Sequence, residues 1–207
     1  MLSPATLSVF VPTFLLVSLT PGMCMTLAMV LGMTQGVKRT LWMMLGELLG
    51  VGLVAVAAGV GVAALMLKTP GVFAVFKWLG GAYLIYLGVM MWRSRGRMAI
   101  PEGLDQGVRA GRGPLFVQGL VTAVANPKGW AFLMVLLPPF LDDSRALGPQ
   151  LAILVAVILT IEFACLVLYA TGGKTLRRLL SRGAGVRLLN RVSAALMAGV
   201  GLWLALG

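Results

Sequence analysis

The chain has 207 residues, 59% of them hydrophobic and 11% charged, with a mean hydropathy of +0.98. A soluble domain carries roughly 25% charged residues, so a wetted globule around one core is excluded and an integral membrane protein is expected. The net charge of +11 would suit nucleic acid, but the basic residues lie in short loops between apolar stretches. That is the placement of a cytoplasmic anchor on anionic lipid, and no nucleic-acid partner is expected.

An α-helical span needs about 20 apolar residues to cross a hydrocarbon core of ~30 Å. Six stretches qualify: Pro4–Met33, Leu41–Leu67, Val72–Trp92, Pro114–Leu141, Leu147–Gly172 and Val186–Leu206. The fold class read from them is all-α and polytopic. No Lys or Arg precedes Lys38, so the first stretch reads as a retained span and not as a secretory signal with its basic leader.

Loops after spans one, three and five carry Lys38 and Arg39; Arg93, Arg95, Arg97, Arg109 and Arg112; and Lys174, Arg177, Arg178, Arg182, Arg187 and Arg191. Those 13 of the 17 basic residues mark the cytoplasmic side, which puts both termini outside. Span one then enters from outside and span four from the cytoplasm. Two three-helix repeats of inverted topology follow, 1–92 and 114–207, joined by a cytoplasmic basic linker over 93–113. Gly96, Pro101, Gly103, Gly107, Gly111 and Gly113 make that linker flexible.

Two apolar runs are interrupted. Thr20-Pro21-Gly22 breaks the first span and Ala125-Asn126-Pro127-Lys128-Gly129 the fourth; Pro21 and Pro127 are 106 residues apart, an offset that Phe10 and Phe116 share. Broken helices at corresponding positions of two halves are the sequence pointer to a transporter's binding site. Asn126 is a good N-cap and Pro127 suits the first helical position, so a new half-helix can start there. Thr20 and Pro21 repeat the arrangement. Each break lies about 12 residues, or ~18 Å, from the cytoplasmic end of its span. Two half-helix N-termini at the midplane would hold an anion such as a carboxylate.

Lys128 sits at that depth, beyond snorkelling reach, and should face the interior with a partner. Glu47 and Glu162 are the acids inside spans, ~13–15 Å from the cytoplasmic boundary by helical rise. Either could hold a substrate ammonium, carry a coupling proton, or form a static pair with Lys128. Two acids and one lysine leave one acid over. Histidine is absent, and Cys24 and Cys165 lie in spans without CxxC spacing, so they read as small apolar packers. No metal or organic cofactor is expected. Asp142 and Asp143 read as loop residues without partners, and no nucleophile–base arrangement of an enzyme is present.

Gly46-xxx-Gly50 and Gly80-Gly81 would let helices approach closely. The pairs Met23/Met25, Met43-Met44 and Met90-Met91 read as apolar filling. Trp42, Trp78 and Trp92 fall near span ends, where an aromatic belt belongs.

The Pro-Gly break in span one resembles that of the lysine exporter (LysE) superfamily, as do Phe116-x-x-Gly119…Asn126-Pro127-Lys128 and Phe140 after two prolines. Lys77-Trp78-Leu79-Gly80-Gly81-Ala82-Tyr83-Leu84-Ile85-Tyr86-Leu87-Gly88 is similar to the homoserine/threonine exporter branch, and Glu162 with Tyr169-Ala170 to that family's acidic span five. The sequence departs where the family usually has Pro-Gly-Pro, here Met23 in third place. It departs again at Glu47, where an uncharged polar residue is common. The resemblance implies a bacterial inner-membrane secondary transporter that exports an amino acid or similar zwitterion, driven by the proton-motive force. Thr20, Pro21, Gly22, Asn126, Pro127, Lys128 and Glu47 would bind substrate, with Glu162 or Glu47 coupling protons. A homodimer is a further expectation, and efflux of a cation or other small metabolite is the alternative.

Overall fold

The computed structural model describes residues 4–68, 70–93, 110–142, 144–181 and several positions between 187 and 202. Every described regular element is a helix: α1 (Pro4–Ser18), α2 (Met23–Thr34), α3 (Val37–Lys68), α4 (Pro70–Arg93), α5 (Arg112–Val124), α6 (Pro127–Leu136), a 3-10 turn at Pro138–Phe140, and α7 (Leu147–Ser181). The described positions between 187 and 202 are helical as well. Most of the expected linker and of the expected sixth span, with Asp143, lies outside the described residues.

Expected span one is α1 and α2, bent by 58°, and expected span four is α5 and α6, bent by 50°. The stretches Val37–Gly61 of α3 and Leu147–Gly173 of α7 are each long and apolar enough to cross a membrane unaided. Two helices overrun the expected ends. Lys38 and Arg39 belong to the first turn of α3, and Lys174, Arg177 and Arg178 belong to α7. Lysine and arginine are good helix formers, so leaving the hydrocarbon does not end a helix. Between α2 and α3 the chain turns at Gly36, whose φ of +84° suits the left-handed position after a helix C-cap.

Helix α3 makes its most extensive contact with α5. Gly46 lies against the backbone of Phe116, and Gly119 against that of Met43, so a Cβ at either would collide with main chain. This reciprocal glycine contact draws the two backbones together and fixes the face of α3 that carries Glu47. It also realises the close approach that the Gly46-xxx-Gly50 spacing suggests.

Two apolar clusters lie along the helices. One gathers Phe10, Phe14 and Val17 with Val54, Ala58, Phe132, Phe140, Leu154 and Ile158. Its rings interlock: Phe10 stacks on Phe14 at 5.9 Å and meets Phe140 edge-on at 5.0 Å. The other gathers Cys24, Met25, Met29, Met43, Met44, Leu115, Cys165 and Tyr169. On α3 Glu47 falls between the clusters, and on α7 Glu162 does. The buried methionines are the apolar filling expected of them.

Asp142 corrects the expectation of an unpartnered loop acid. It pairs with Arg145 at 2.9 Å and accepts hydrogen bonds from the Ser144 amide and hydroxyl. Those Ser144 bonds hold its carboxyl below the usual carboxylate range. The signal was present in the Asp-x-Ser spacing, which favours a turn closed by the Asp side chain.

Candidate functional site

At the second break the chain satisfies its own ends. Asn126 is the N-cap of α6, its side-chain oxygen accepting from the Lys128 amide at 3.1 Å, and Pro127 occupies the first turn. The Asn126 carbonyl accepts from the Gly129 and Trp130 amides, while the Trp130 indole reaches back to the Val124 carbonyl at 2.8 Å. The donors at the start of α6 are therefore engaged.

The first break differs. Residues 19–22 leave the helix, and the N-cap of α2 is Gly22, which offers no side-chain cap. The N-cap position of α2 is Gly22 and not Thr20, against expectation, and the Thr20 hydroxyl donates to the Leu16 carbonyl, one turn back on α1. The amides of Met23, Cys24 and Met25 thus open α2 without an intrahelical acceptor. Carbonyls at the end of α1 find donors from far along the sequence. Lys128 Nζ donates to Val17 at 3.5 Å and the Tyr169 hydroxyl to Leu19 at 2.8 Å.

Between the breaks lies a cavity of about 70 Å³, room for several water-sized groups. Thr20, Gly22, Glu47, Asn126, Lys128 and Glu162 all line it, so the structure brings six of the expected residues to one place. Pro21 and Pro127 do not; they shape the backbone that positions the others. The Lys128 ammonium stands beside Gly22, where an added Cβ would lie 3.9 Å from Nζ. Lysine and the open end of α2 thereby share one corner.

The two acids are held differently. Glu162 Oε2 accepts from the Ser18 hydroxyl at 2.7 Å. Glu47 is fully buried, 0% exposed, and among the described residues neither of its carboxylate oxygens accepts from a hydroxyl, amide or ammonium. Among the described residues Lys128 forms no ion pair with either acid, so the static pair is not what the structure contains. The polar neighbours of Glu47 are the Glu162 carboxyl and the Cys24 thiol, so two acids share one buried corner, an arrangement that is costly while both are charged.

Sequence reasoning missed Ser18, Cys24, Phe14, Phe132 and Tyr169. Cys24 is more than a packer: it lines the cavity, and its sulfur accepts from Asn126 Nδ2 at 3.8 Å. Ser18 could have been found as a small polar residue inside an apolar run. Among the described residues no group of three or more His, Cys, Asp or Glu side chains could hold a metal ion.

The LysE type translocator family matches residues 15–207 of this chain. A homoserine/homoserine lactone efflux protein of Salmonella typhimurium is 29% identical over 193 residues, 93% of this chain and 92% of that protein. An uncharacterized membrane protein of Vibrio cholerae is 27% identical over 157 residues, 76% of this chain and 75% of that one. A leucine efflux protein of Salmonella choleraesuis is 30% identical over 101 residues, 47% and 45% of the two chains. No solved structure matches. The full-length likeness to a homoserine efflux protein agrees with the branch that the span-three run resembles. By its matched length this chain belongs to the LysE type translocator family, whose members are transporters and not enzymes.

Proposed function

We propose that the chain is a secondary transporter of the bacterial inner membrane that exports an amino acid or similar small zwitterion in exchange for protons. The observation that carries this reading is one cavity lined by a lysine, the N-terminus of α2 and two acids, the buried Glu47 and the half-buried Glu162. Those are the complements of a carboxylate and an ammonium a short distance apart. The efflux relatives support the substrate class, since homoserine and leucine share that backbone.

In this reading Lys128, the Asn126 amide and the first amides of α2 take the substrate carboxylate. Glu47 takes the ammonium. Glu162 carries the coupling proton, with the Ser18 hydroxyl stabilising its charged form until the proton arrives. Six spans form two inverted halves, 1–92 and 114–207, tethered through 93–113 with both termini outside, and transport is the rocking of one half against the other. Arg112 over Trp42 at 5.4 Å and Arg191 over Trp92 at 5.5 Å are pairings suited to the cytoplasmic interface, where Trp and Arg meet anionic headgroups.

The test is uptake of radiolabelled amino acids into inverted membrane vesicles with an acid-inside pH gradient. Accumulation of at least one amino acid is expected, lost on collapsing the gradient and lost in Lys128→Ala and Glu47→Gln. Accumulation of an inorganic cation and of no amino acid would replace the substrate class. Undiminished gradient-driven transport in both Glu162→Gln and Glu47→Gln would end the coupling role.

A further inference from the structure

Three of the helices that bring a polar group to the cavity bring an apolar one a single turn away. On α1 Phe14 precedes Ser18 by four residues; on α3 Val51 follows Glu47 by four; on α6 Phe132 follows Lys128 by four. All six line the cavity, with Val54 and Leu133 completing the apolar side. Side chains four apart in a helix lie on one face, one above the other, displaced by about 6 Å. The cavity is therefore two layers, one polar and one apolar. The apolar layer continues into the cluster that holds Phe10 and Phe140, to which Phe14, Val54, Phe132 and Leu133 belong and against which Val51 packs.

Nothing in the apolar layer can hydrogen-bond: its side chains are two phenylalanines, two valines and a leucine. The hydroxyls nearest to it belong to the polar layer and already donate, Ser18 to Glu162 and Thr20 to the Leu16 carbonyl. On the other side α3 and α5 meet backbone to backbone at Gly46 and Gly119, and Cys24 and Met25 line the cavity from α2. A substrate whose ammonium and carboxylate occupy the polar layer meets the phenylalanine-lined apolar layer with its side chain.

We infer that the substrate side chain is a compact aliphatic one, of valine or leucine type, and that Phe14, Val51 and Phe132 are the residues that select it. The inference rests on the amino-acid transport proposed above and narrows it. A hydroxyl or second ammonium on the side chain would be buried against carbon without a partner, which selects against homoserine and lysine. An apolar pocket rejects an added hydroxyl only modestly, so the expected preference for leucine or valine over homoserine is about tenfold to a hundredfold.

The experiment is competition between leucine, valine, homoserine and lysine for transport in the same vesicles, with wild type and Val51→Thr, which adds a hydroxyl to the layer at nearly constant shape. Wild type should prefer the aliphatic pair, and Val51→Thr should shift the leucine-to-homoserine ratio toward homoserine by about tenfold. The purified wild type, warmed with each amino acid in turn, should be stabilised most by the aliphatic ones, since a ligand of the folded form raises its midpoint. This arm reads the selectivity even if Val51→Thr fails to fold. Equal or greater preference of the wild type for homoserine or lysine would overturn the inference and leave amino-acid export standing. Transport of no amino acid at all would overturn both.

Discussion

At the second break Asn126 and Trp130 close the chain with residues of the break itself; at the first, Leu19 and Thr20 close part of it locally, and Lys128 and Tyr169 add donors 111 and 150 residues away from the carbonyls they reach. The second break ends in a capped helix, the first in an open one. A break that satisfies itself can form in an isolated span. A break stapled by distant helices reaches this form only when those helices are packed, because unpaired backbone in a membrane must find protein or a wet cavity. In the proposed transport cycle the first break is where relative movement of the halves would be felt, and the start of α2 is where the substrate anion would bind.

The comparison breaks most sharply if the first break is made to look like the second. Gly22→Asp supplies an N-cap carboxylate to α2 within reach of Lys128. Transport should fall at least about a hundredfold as the anion corner fills, while the folded state gains only a few tenths of a kcal/mol from the cap. A Gly22→Asp variant that still transports at the wild-type rate would show that substrate does not use this corner. Next in size, Tyr169→Phe removes the donor to Leu19 and leaves a buried carbonyl unpaired, a cost of about 1–3 kcal/mol. Combined with Lys128→Met it should show a coupling energy of about 0.5 kcal/mol or more, since both side chains staple the same turn. Additive effects in thermal denaturation would mean that the two staples act separately.

Asn126→Ala comes third, at about 1 kcal/mol for a lost cap. Its effect should add to that of Tyr169→Phe, because one variant loosens the second break locally and the other the first break at a distance. Coupling between them would erase the distinction drawn here.

The same contrast explains what the sequence discloses. Asn-Pro at the start of α6 is local chemistry, and its cap was legible residue by residue. Pro21-Gly22 marked the first break equally well, but Thr20 was misread as its cap, because a threonine hydroxyl can turn instead to the carbonyl four residues back. Helical rise was enough to put Glu47, Glu162 and Lys128 at one depth. It could not say that Ser18 holds Glu162, a contact across 144 residues, nor that among the described residues no hydroxyl or amide serves Glu47. Phe10 and Phe116 show the limit of the offset: they share it, yet Phe10 is buried among rings while Phe116 is half-buried, its backbone against Gly46. Spacing finds equivalent positions, and packing decides whether their surroundings are equivalent.

The smallest expected effect is also the most discriminating. Gly22 has φ −120° and ψ −171°, a conformation open to any residue, and an added methyl would meet Lys128 Nζ at 3.9 Å and the Thr20 carbonyl at 4.0 Å. Both are ordinary contacts, so Gly22→Ala should fold normally, losing the roughly 0.5 kcal/mol or more by which glycine exceeds alanine at an N-cap. The methyl nevertheless stands between the lysine and the open amides of α2. A carboxylate bound there would be displaced slightly, weakening it by about half a kcal/mol and raising KM roughly twofold to threefold with kcat held. If Gly22→Ala leaves KM unchanged and Asn126→Ala raises it, the anion belongs to the second break, and the capped end of α6 rather than the open end of α2 is the one the substrate meets.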